Sequence, residues 1–303
     1  MPKLLGLPVF EANVAGAQQV AESLGIDLTY AATSTASATG QVSVLESLIK
    51  EKVNVITLSA NDPTIPDPVL EQAMKAGIRV ISFDSDVNPL ARDFFIQDTA
   101  YNTIARGVID AAVKAEGPDA ELGIMSSTPD ATIQQAWISA MKAYARAEYP
   151  HLTWAPIGYG QSVATTSLTQ AEGMINSNPN LKAILPIDGA AVVGTAQAIT
   201  ALGETGKIGV FGIGDPLPNR HYFANGSLQA LFLWNEVNQG KLVMYVAKLA
   251  DENKLQAGSS FTTPLGTFTV SAAPNATTGA TKNTIIFSTP LEFTKSNYLQ
   301  YDF

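Results

Sequence analysis

The sequence predicts an α/β fold in which helices flank parallel sheets, and three observations support this prediction. Apolar stretches of strand length alternate with segments of helical period along most of the 303 residues. The alternation restarts near residue 103, so the two halves have a similar layout, and this length fits about two domains. In each half, acids follow apolar strands: Asp62 and Asp84 in the first, Asp188 and Asp215 in the second.

The first half contains three predicted helices and three predicted strands. Apolar residues at i, i+3, i+4 and i+7 indicate one helix that stops at Gly25 and a second that stops before Lys50. The third helix is predicted with Asp67 as its N-cap and Pro68 as its first residue. Alternating or continuous apolar residues predict strands at residues 26–30, 53–59 and 79–83.

The second half repeats this order up to a polar tail. Predicted helices lie around residues 104–111, 137–144, 168–175, 191–202 and 237–249. Predicted strands lie near residues 122–125, 152–157, 183–187, 208–213 and 228–234. From residue 256 the chain is rich in Gly, Ser, Thr and Pro, with short strand-like pieces at 267–270 and 284–287. Such a tail cannot build a third core, so we expect it to pack on the two halves.

Composition excludes several classes of protein. Apolar residues make up 46% and charged residues 15%, which excludes a disordered chain. The net charge of −9 would repel the negatively charged phosphate backbone of nucleic acids, so no nucleic-acid partner is expected. Without cysteine there is no disulfide or zinc–thiolate site, and His151 and His221 are too few for a multi-histidine metal centre. We therefore expect no metal and no cofactor.

The sequence also lacks an apolar run of the roughly 18 residues that a spanning helix needs, and any export signal is expected to have been removed.

No catalytic motif is present, so the sequence predicts a binding protein rather than an enzyme. G-x-S-x-G, Walker A, G-x-G-x-x-G and H-E-x-x-H are all absent. Carboxylates after strands can accept hydroxyl hydrogen bonds, and aromatic faces can cover a sugar ring. Phe10, before the first helix, and Trp234, at a strand end, are the aromatic candidates, whereas Trp137 and Trp154 are assigned to packing. The alternative interpretation is that the acids are ordinary turn and N-cap residues.

Short motifs along the whole chain carry a resemblance to a known family. They are Pro2-Lys3-Leu4, Gly-Gln-Val at 40–42, Phe83-Asp84-Ser85-Asp86, Ser126-Ser127 with Gln134 and Trp137, Gln170-Ala171-Glu172-Gly173, Asp188, Ala196-Gln197-Ala198, Leu233-Trp234, Gln239-Gly240-Lys241 and Tyr301-Asp302-Phe303. In this order and spacing, the chain resembles the type I periplasmic solute-binding proteins of ABC transporters. The branch that it resembles contains the autoinducer-2-binding and rhamnose-binding proteins.

This resemblance implies two Rossmann-like lobes with parallel sheets, joined by three crossover segments. The crossovers are expected near residues 97–103, near 233–237 and after 256. The implied domains are an N-terminal lobe at 1–100 to which 237–257 returns, a C-terminal lobe at 103–233, and a crossover and tail at 258–303. Family members also have a strand directly before the Pro-Lys, where this sequence has only Met1. The sequence leaves open whether such a strand precedes Met1.

The resemblance also implies a ligand site. A lysine after the first strand, an aspartate of the Asp-Ser-Asp motif, a glutamine before a tryptophan, and main-chain groups around Asp188 match ligand-holding positions of the family. With the two aromatic candidates, the predicted ligand residues are Lys3, Phe10, Asp84, Gln134, Ile187, Asp188, Gly189 and Trp234. Where the family has Asp before the glutamine, this chain has Ile133, and the sequence leaves open whether Asp130 replaces it. The ligand is therefore expected to be autoinducer-2, a pentose, a deoxyhexose or a polyol.

The function implied is capture of a small sugar-like ligand in the cleft between the lobes by hinge closure. The partners would be the ligand and the membrane permease of an ABC importer. The protein would be a monomer that is periplasmic, or extracellular and associated with the membrane. Two alternatives are kept: a sugar-sensing effector for signalling, and a sugar-acting enzyme with Asp84 and Asp188 as acid and base. The absence of a basic DNA-binding module disfavours the first alternative.

Overall fold

The computed structural model describes residues 1–35 and 37–303, in which helices and strands alternate along the chain. The helices are α1 (Pro8–Ala21), α2 (Ala38–Glu51), α3 (Asp67–Lys75), α4 (Tyr101–Glu116), α5 (Thr132–Glu148), α6 (Ala164–Ser177), α7 (Gly189–Ala201), α8 (Arg220–Asn225) and α9 (Glu236–Asp251). The strands are β1 (Val55–Leu58), β2 (Arg79–Phe83), β3 (Phe94–Gln97), β4 (Glu121–Ser126), β5 (Thr153–Trp154), β6 (Gly158–Tyr159), β7 (Leu181–Pro186), β8 (Gly209–Ile213), β9 (Ala230–Leu233), β10 (Ser260–Thr263), β11 (Gly266–Thr269), β12 (Thr284–Ile286) and β13 (Leu291–Thr294). None of the helices in this described part of the chain is both long and apolar enough to cross a membrane.

The chain divides into two compact units. Unit 1 contains Met1–Ala100 and Trp234–Thr289, and unit 2 contains Tyr101–Leu233 and Pro290–Phe303. The polypeptide therefore passes from one unit to the other three times, after residues 100, 233 and 289. Within the tail predicted at 258–303, the part up to Thr289 belongs to unit 1 and the remainder to unit 2.

Unit 1 is built on a sheet in the order β1-β2-β3-β12, in which all neighbouring strands are parallel. One face of the sheet packs on α1 and α9, where Phe83, Ile96 and Leu242 lie in one apolar cluster. The other face packs on α2 and α3, with Leu45 and Leu70 fully buried. Coverage on both faces explains why these strands are nearly continuous apolar runs in the sequence. The hairpin β10–β11 is the antiparallel element of this unit.

Helices α1 and α9 pack backbone against backbone at two glycines. A Cβ built on Gly16 would lie 1.8 Å from the carbonyl oxygen of Val237, and one built on Gly240 would lie 1.8 Å from that of Asn13. Real Cβ atoms do not approach backbone that closely, so alanine at either position would push the helices apart. The two glycines thus fix how closely α1 and α9 approach.

The prediction of a strand at residues 26–30 is wrong. The structure has no strand there: the segment and β1 line opposite sides of a cavity of about 500 Å³ and are not paired. Met1 lies beside β1, where its nitrogen donates to Thr57 O at 2.6 Å and its carbonyl accepts from Ser59 N at 2.9 Å. The apolar and polar residues alternate as predicted, but an extended segment without a hydrogen-bonded neighbour does not form a ladder.

Unit 2 contains a larger sheet in the order β13-β9-β8-β7-β4-β5, and β6 also pairs with β4. All of its neighbouring strands are parallel except β13, which runs antiparallel to β9. The strand predicted at 152–157 is shorter than expected: within it only Thr153–Trp154 (β5) forms a strand, and β6 follows at Gly158–Tyr159, with Pro156 between the two. Proline interrupts the strand because it has no N–H to donate to a ladder.

Candidate functional site

Parallel strands end at a common edge of a sheet, and ligands of open α/β sheets bind beyond that edge. In unit 1 the residues that follow β1, β2 and β3 are Ser59, Asp84 and Asp98. We call these residues, with Lys3, the strand-end edge of unit 1. All four carry polar side chains, so this edge is the first place to look for a binding site.

Lys3 and Asp84, both predicted as ligand residues, form an ion pair at this edge. Lys3 Nζ lies 3.0 Å from Asp84 Oδ2, and the Ser59 hydroxyl donates to the same oxygen at 2.6 Å. The two charged side chains are 21% and 14% exposed, so solvent screens them only partly. Asn61 donates its side-chain amide to the Lys3 carbonyl at 2.8 Å and so fixes the backbone of the lysine. The arrangement offers a charged donor and a charged acceptor side by side.

The backbone of Asp84 is strained. Its φ is +56°, in the left-handed region that only a few per cent of non-glycine residues adopt, although Asp adopts it more readily than most. Such strain persists where the surroundings fix it and is concentrated at functional sites. The strain therefore supports a functional role for this carboxylate.

The second aspartate of the Asp-Ser-Asp motif has a different role. Asp86 pairs through both carboxylate oxygens with the guanidinium of Arg92, at 2.6 Å to Nε and 2.8 Å to Nη2. The Arg92 side chain is fully buried and also donates to the Thr281 hydroxyl at 2.6 Å. Asp86 therefore ties the C-terminal segment of unit 1 to the sheet, and Asp84 is the carboxylate of the motif that remains at the edge.

Asp98 is a member of this edge that sequence reasoning missed. It is 1% exposed and accepts a hydrogen bond from Gln239 Nε2, whose carbonyl oxygen accepts from Asn13 Nδ2 at 2.9 Å. Burial, and then the negative charge of Asp84, raise the pKa of Asp98 well above its usual range, which favours the protonated form. The sequence signal for this position is the short apolar run of β3 just before it, which was not predicted as a strand.

Both aromatic candidates are buried in unit 1. Phe10 is 5% exposed and meets the ring of Phe83 edge to face, with ring centroids 6.5 Å apart. Its neighbours belong to the apolar cluster between the sheet and α9, so Phe10 serves the core. Trp234 directly follows β9 and is 2% exposed.

In unit 2, three predicted site residues meet where β7 leads into α7. Asp188 is the N-cap of α7: its Oδ1 accepts from the backbone N–H groups of Ala190 and Ala191, both at 3.1 Å. Ile187 is fully buried and its N–H donates to Met125 O at 2.8 Å, which occupies that donor. Gly189 opens α7, and a side chain built there would meet open space.

The segment around Gln134 lies at the start of α5. Gln134 is the third residue of this helix and is 9% exposed. Ile133, which stands where a carboxylate was expected, is 3% exposed and belongs to the apolar face of the helix, with Trp137 at 4%. Asp130 lies in the preceding loop and is exposed.

The remaining acids at strand ends divide into two kinds. Asp62 accepts from the backbone N–H groups of Thr64 and Ile65, both at 2.8 Å, so it holds its own turn and the ordinary interpretation applies. Asp215, two residues after β8, is 7% exposed, and its Oδ1 has no hydrogen-bond partner within the part of the chain that the structure describes. Burial raises the pKa of Asp215 to about 6.

The family of the chain follows from comparison with known proteins. The model of the periplasmic binding protein domain family matches residues 1–254, and the chain belongs to this family. Among solved structures, it is similar to an ABC transporter solute-binding protein from Clostridium phytofermentas with bound L-rhamnose, with 28% identity, a TM-score of 0.91, and 99% of this chain and 96% of the other covered.

Two further relatives support the same family. LsrB from Clostridium saccharobutylicum in complex with AI-2 shares 25% identity and a TM-score of 0.90, with 100% of this chain and 98% of the other covered. The D-xylose-binding periplasmic protein of Haemophilus influenzae is 21% identical over 250 residues, which are 79% of this chain and 73% of that protein. The predicted α/β fold and the resemblance to the autoinducer-2-binding and rhamnose-binding branch are therefore confirmed.

Proposed function

We propose that this protein is the extracytoplasmic sugar-binding component of an ABC importer. The observation that carries the proposal is the polar cluster of Lys3, Asp84 and Ser59 at the strand-end edge of unit 1. Support comes from the family and from relatives with bound L-rhamnose and AI-2. The location and the capture role are those that the family of periplasmic binding proteins implies.

The electrostatics of the edge favour a small, neutral, polyhydroxylated ligand. The positive charge of Lys3 balances the negative charge of Asp84, and the raised pKa of Asp98 favours its neutral form. A neutral ligand thus leaves no charge unbalanced, whereas an ionic ligand would. A hydroxyl can donate to Asp84 and accept from Lys3 at once, and such charge-assisted bonds are about twice as strong as neutral ones. The candidates are AI-2, a pentose, a deoxyhexose and a polyol.

A thermal-shift screen followed by calorimetry tests the proposal. Purified protein is heated with L-rhamnose, D-xylose, D-apiose, D-arabinose, AI-2 and simple polyols, each at millimolar concentration. A true ligand at about 100 times its Kd stabilises the protein by ~2.7 kcal/mol and raises the Tm by several degrees. Calorimetry then gives the Kd. A panel in which no sugar-like compound raises the Tm would exclude the proposed function.

Binding without turnover is the expected chemistry. The enzyme alternative needs Asp84 and Asp188 as acid and base, but Asp188 already accepts hydrogen bonds from two backbone amides as the N-cap of α7. Incubation of the identified ligand with the protein, followed by NMR of the sugar, is expected to return the ligand unchanged. Any accumulating product would favour the enzyme instead.

The proposal also includes a monomer that closes on its ligand and delivers it to a membrane permease. Size-exclusion chromatography with light scattering should give a mass near 31.9 kDa. Small-angle scattering is expected to give a smaller radius of gyration with ligand than without. An unchanged radius would contradict hinge closure while leaving sugar binding intact.

A further inference from the structure

Six non-glycine residues of the described chain adopt a left-handed backbone, and half of them have an ordinary explanation. The six are Lys52, Asp84, Gln161, Ser162, Asn253 and Asn283. Lys52 ends α2, and asparagine tolerates this conformation in the other two ordinary cases. Asp84, Gln161 and Ser162 remain, and Asp84 is the strained carboxylate of the proposed binding site.

Gln161 and Ser162 form the only consecutive left-handed pair among those six residues. Their φ angles are +55° and +53°, and neither residue type favours this region. They precede α6 rather than follow a helix, so they do not form a C-cap. Each such residue costs on the order of 1–3 kcal/mol, which persists only where the surroundings hold it in place.

Three hydrogen bonds hold this strained loop at the strand ends of unit 2. Gly160 N donates to Ser126 O at 2.8 Å, and Gln161 N donates to Ser127 O at 2.9 Å. The Ser162 hydroxyl donates to Asp188 Oδ2 at 3.0 Å. The loop is thereby tied to the end of β4 and to the N-cap that follows β7, so it lies at the edge where α/β sheets bind ligands.

The Gln161 side chain of this loop is available for a ligand. Gln161 is exposed, and no hydrogen bond of its carboxamide is found among the described residues. Beneath the loop, Ser126 is fully buried and its hydroxyl oxygen has no partner in the same described set. A carboxamide offers two donors and an acceptor, which suits vicinal hydroxyls.

We propose that loop 160–163 is a ligand-specificity element in which Gln161 hydrogen-bonds the sugar hydroxyls that distinguish one ligand from its epimers. This inference rests on the proposed function and extends it to residues outside the predicted site. The hydrogen bonds that hold the strained loop fix the backbone from which the Gln161 side chain projects before the ligand arrives, and this lowers the entropic cost of binding.

The test separates the side chain from the backbone. Q161A removes the carboxamide and keeps the strain, whereas Q161G removes both. K52G is the matched control, since it relieves a left-handed residue at the end of α2. For each variant we measure the Tm without ligand, and by calorimetry the Kd for the best ligand of the screen and for one epimer of it.

Three results are expected. K52G and Q161G have a Tm equal to or above that of the parent, because glycine adopts the left-handed region freely. Q161A and Q161G weaken binding of the best ligand about tenfold and reduce the ratio between its Kd and that of the epimer, while K52G changes neither. The ratio matters because a loop with a merely structural role would not change it.

The outcomes are distinguishable from failure of the proposed function. If the parent binds a sugar and both Gln161 variants keep its Kd and epimer ratio within twofold, this inference is overturned and the proposed function stands. If only Q161G weakens binding, the carboxamide has no role and the inference is equally overturned. If the parent binds no sugar, both are overturned.

Discussion

The strand-end edges of the two units use different chemistry. In unit 1 the edge carries full charges, the pair of Lys3 and Asp84 with buried Asp98 beside them. In unit 2 the edge is formed by an N-cap and a strained loop, and the carboxyl group of the N-cap, Asp188, is already bonded to two amides. Charged groups give strong bonds to any hydroxyl, whereas fixed backbone geometry discriminates between hydroxyl positions. We therefore expect unit 1 to contribute most of the affinity and unit 2 most of the selectivity.

The largest effect should come from Asp84→Ala. Removal of this carboxylate leaves Lys3 without its ion-pair partner, and truncating a hydrogen-bonded charge pair costs about 2–5 kcal/mol. We expect the Kd of the identified sugar to rise about 1,000-fold by calorimetry. Asp93→Ala is the control, because Asp93 pairs with Arg79 at 3.0 Å where β2 starts and should lose stability alone. If the parent and the Asp84 variant bind the sugar equally well, the charge of Asp84 does not contribute to the affinity that we assign to unit 1.

Asp215→Asn should have the next largest effect, on stability. The folded-state pKa of about 6 lies above the ordinary 3.8, so ionisation of Asp215 opposes folding. The penalty is absent below about pH 4, grows as the pH rises, and is complete above about pH 6. The variant should therefore gain up to about 3 kcal/mol in unfolding free energy at pH 7.5 and almost nothing at pH 4. Urea titrations at both pH values measure this.

The exposed Asp119 provides the matched control for that titration. Asp119→Asn should leave the unfolding free energy nearly unchanged at both pH values, because an exposed acid is solvated in either form. A stability gain by the Asp215 variant that is equal at pH 4 and pH 7.5 would show that repacking, and not ionisation, is responsible.

Asp188→Ala should have a moderate effect on stability. The substitution removes the N-cap of α7 and should lower the unfolding free energy by about 1 kcal/mol. Ser37→Ala removes the corresponding cap of α2, where Ser37 Oγ accepts from Gly40 N at 3.0 Å, and should cost a similar amount. Calorimetry should show weaker sugar selectivity only for the Asp188 variant, since Ser162 of the loop depends on that carboxylate. If the Asp188 and Ser37 variants have the same sugar selectivity, the assignment of selectivity to unit 2 is contradicted.

The smallest effect is expected from Asp98→Asn. Asparagine resembles a protonated carboxyl, and burial beside Asp84 already favours that form. The Kd near neutral pH should stay within about threefold of the parent, whereas Asp98→Ala leaves Gln239 without its acceptor and should lose about 1–3 kcal/mol of stability. A large loss of affinity in the Asn variant would mean that Asp98 acts as a charge.

Periodicity and strand composition predicted much of this molecule. Residues 79–83 were predicted as a strand and form β2 with those bounds, and the strand at 208–213 is β8 within one residue. The resemblance gave Lys3 and Asp84 as ligand residues, because neither residue is informative alone, but the ion pair between them was not predicted. The two strands were predictable because their pattern is contained in a few neighbouring residues, whereas the two site residues depended on motifs along the whole chain.

The features that were not predicted depend on contacts that a short stretch of sequence does not reveal. The prediction of a strand at 26–30 was wrong because an extended segment forms a strand only when it pairs with a neighbouring strand. The strand β3 was missed because its four residues are too few to show a clear period. Asp67 was placed as an N-cap, whereas Pro66 holds that position and Asp67 begins α3. The backbone strain at Gln161 and Ser162 has no sequence signature, since neither residue type favours positive φ.

The close approach of α1 and α9 has a consequence for the order of folding. Gly16 meets Val237, a residue more than 200 positions later, and the core of unit 1 includes side chains of α9. Contacts of such long sequence separation form slowly, because a large loop must close first. During synthesis, the face of the unit 1 sheet that packs on α1 and α9 therefore stays incomplete until α9 has been made. The opposite face can pack earlier, because its cluster with α2 and α3 lies entirely within the first hundred residues.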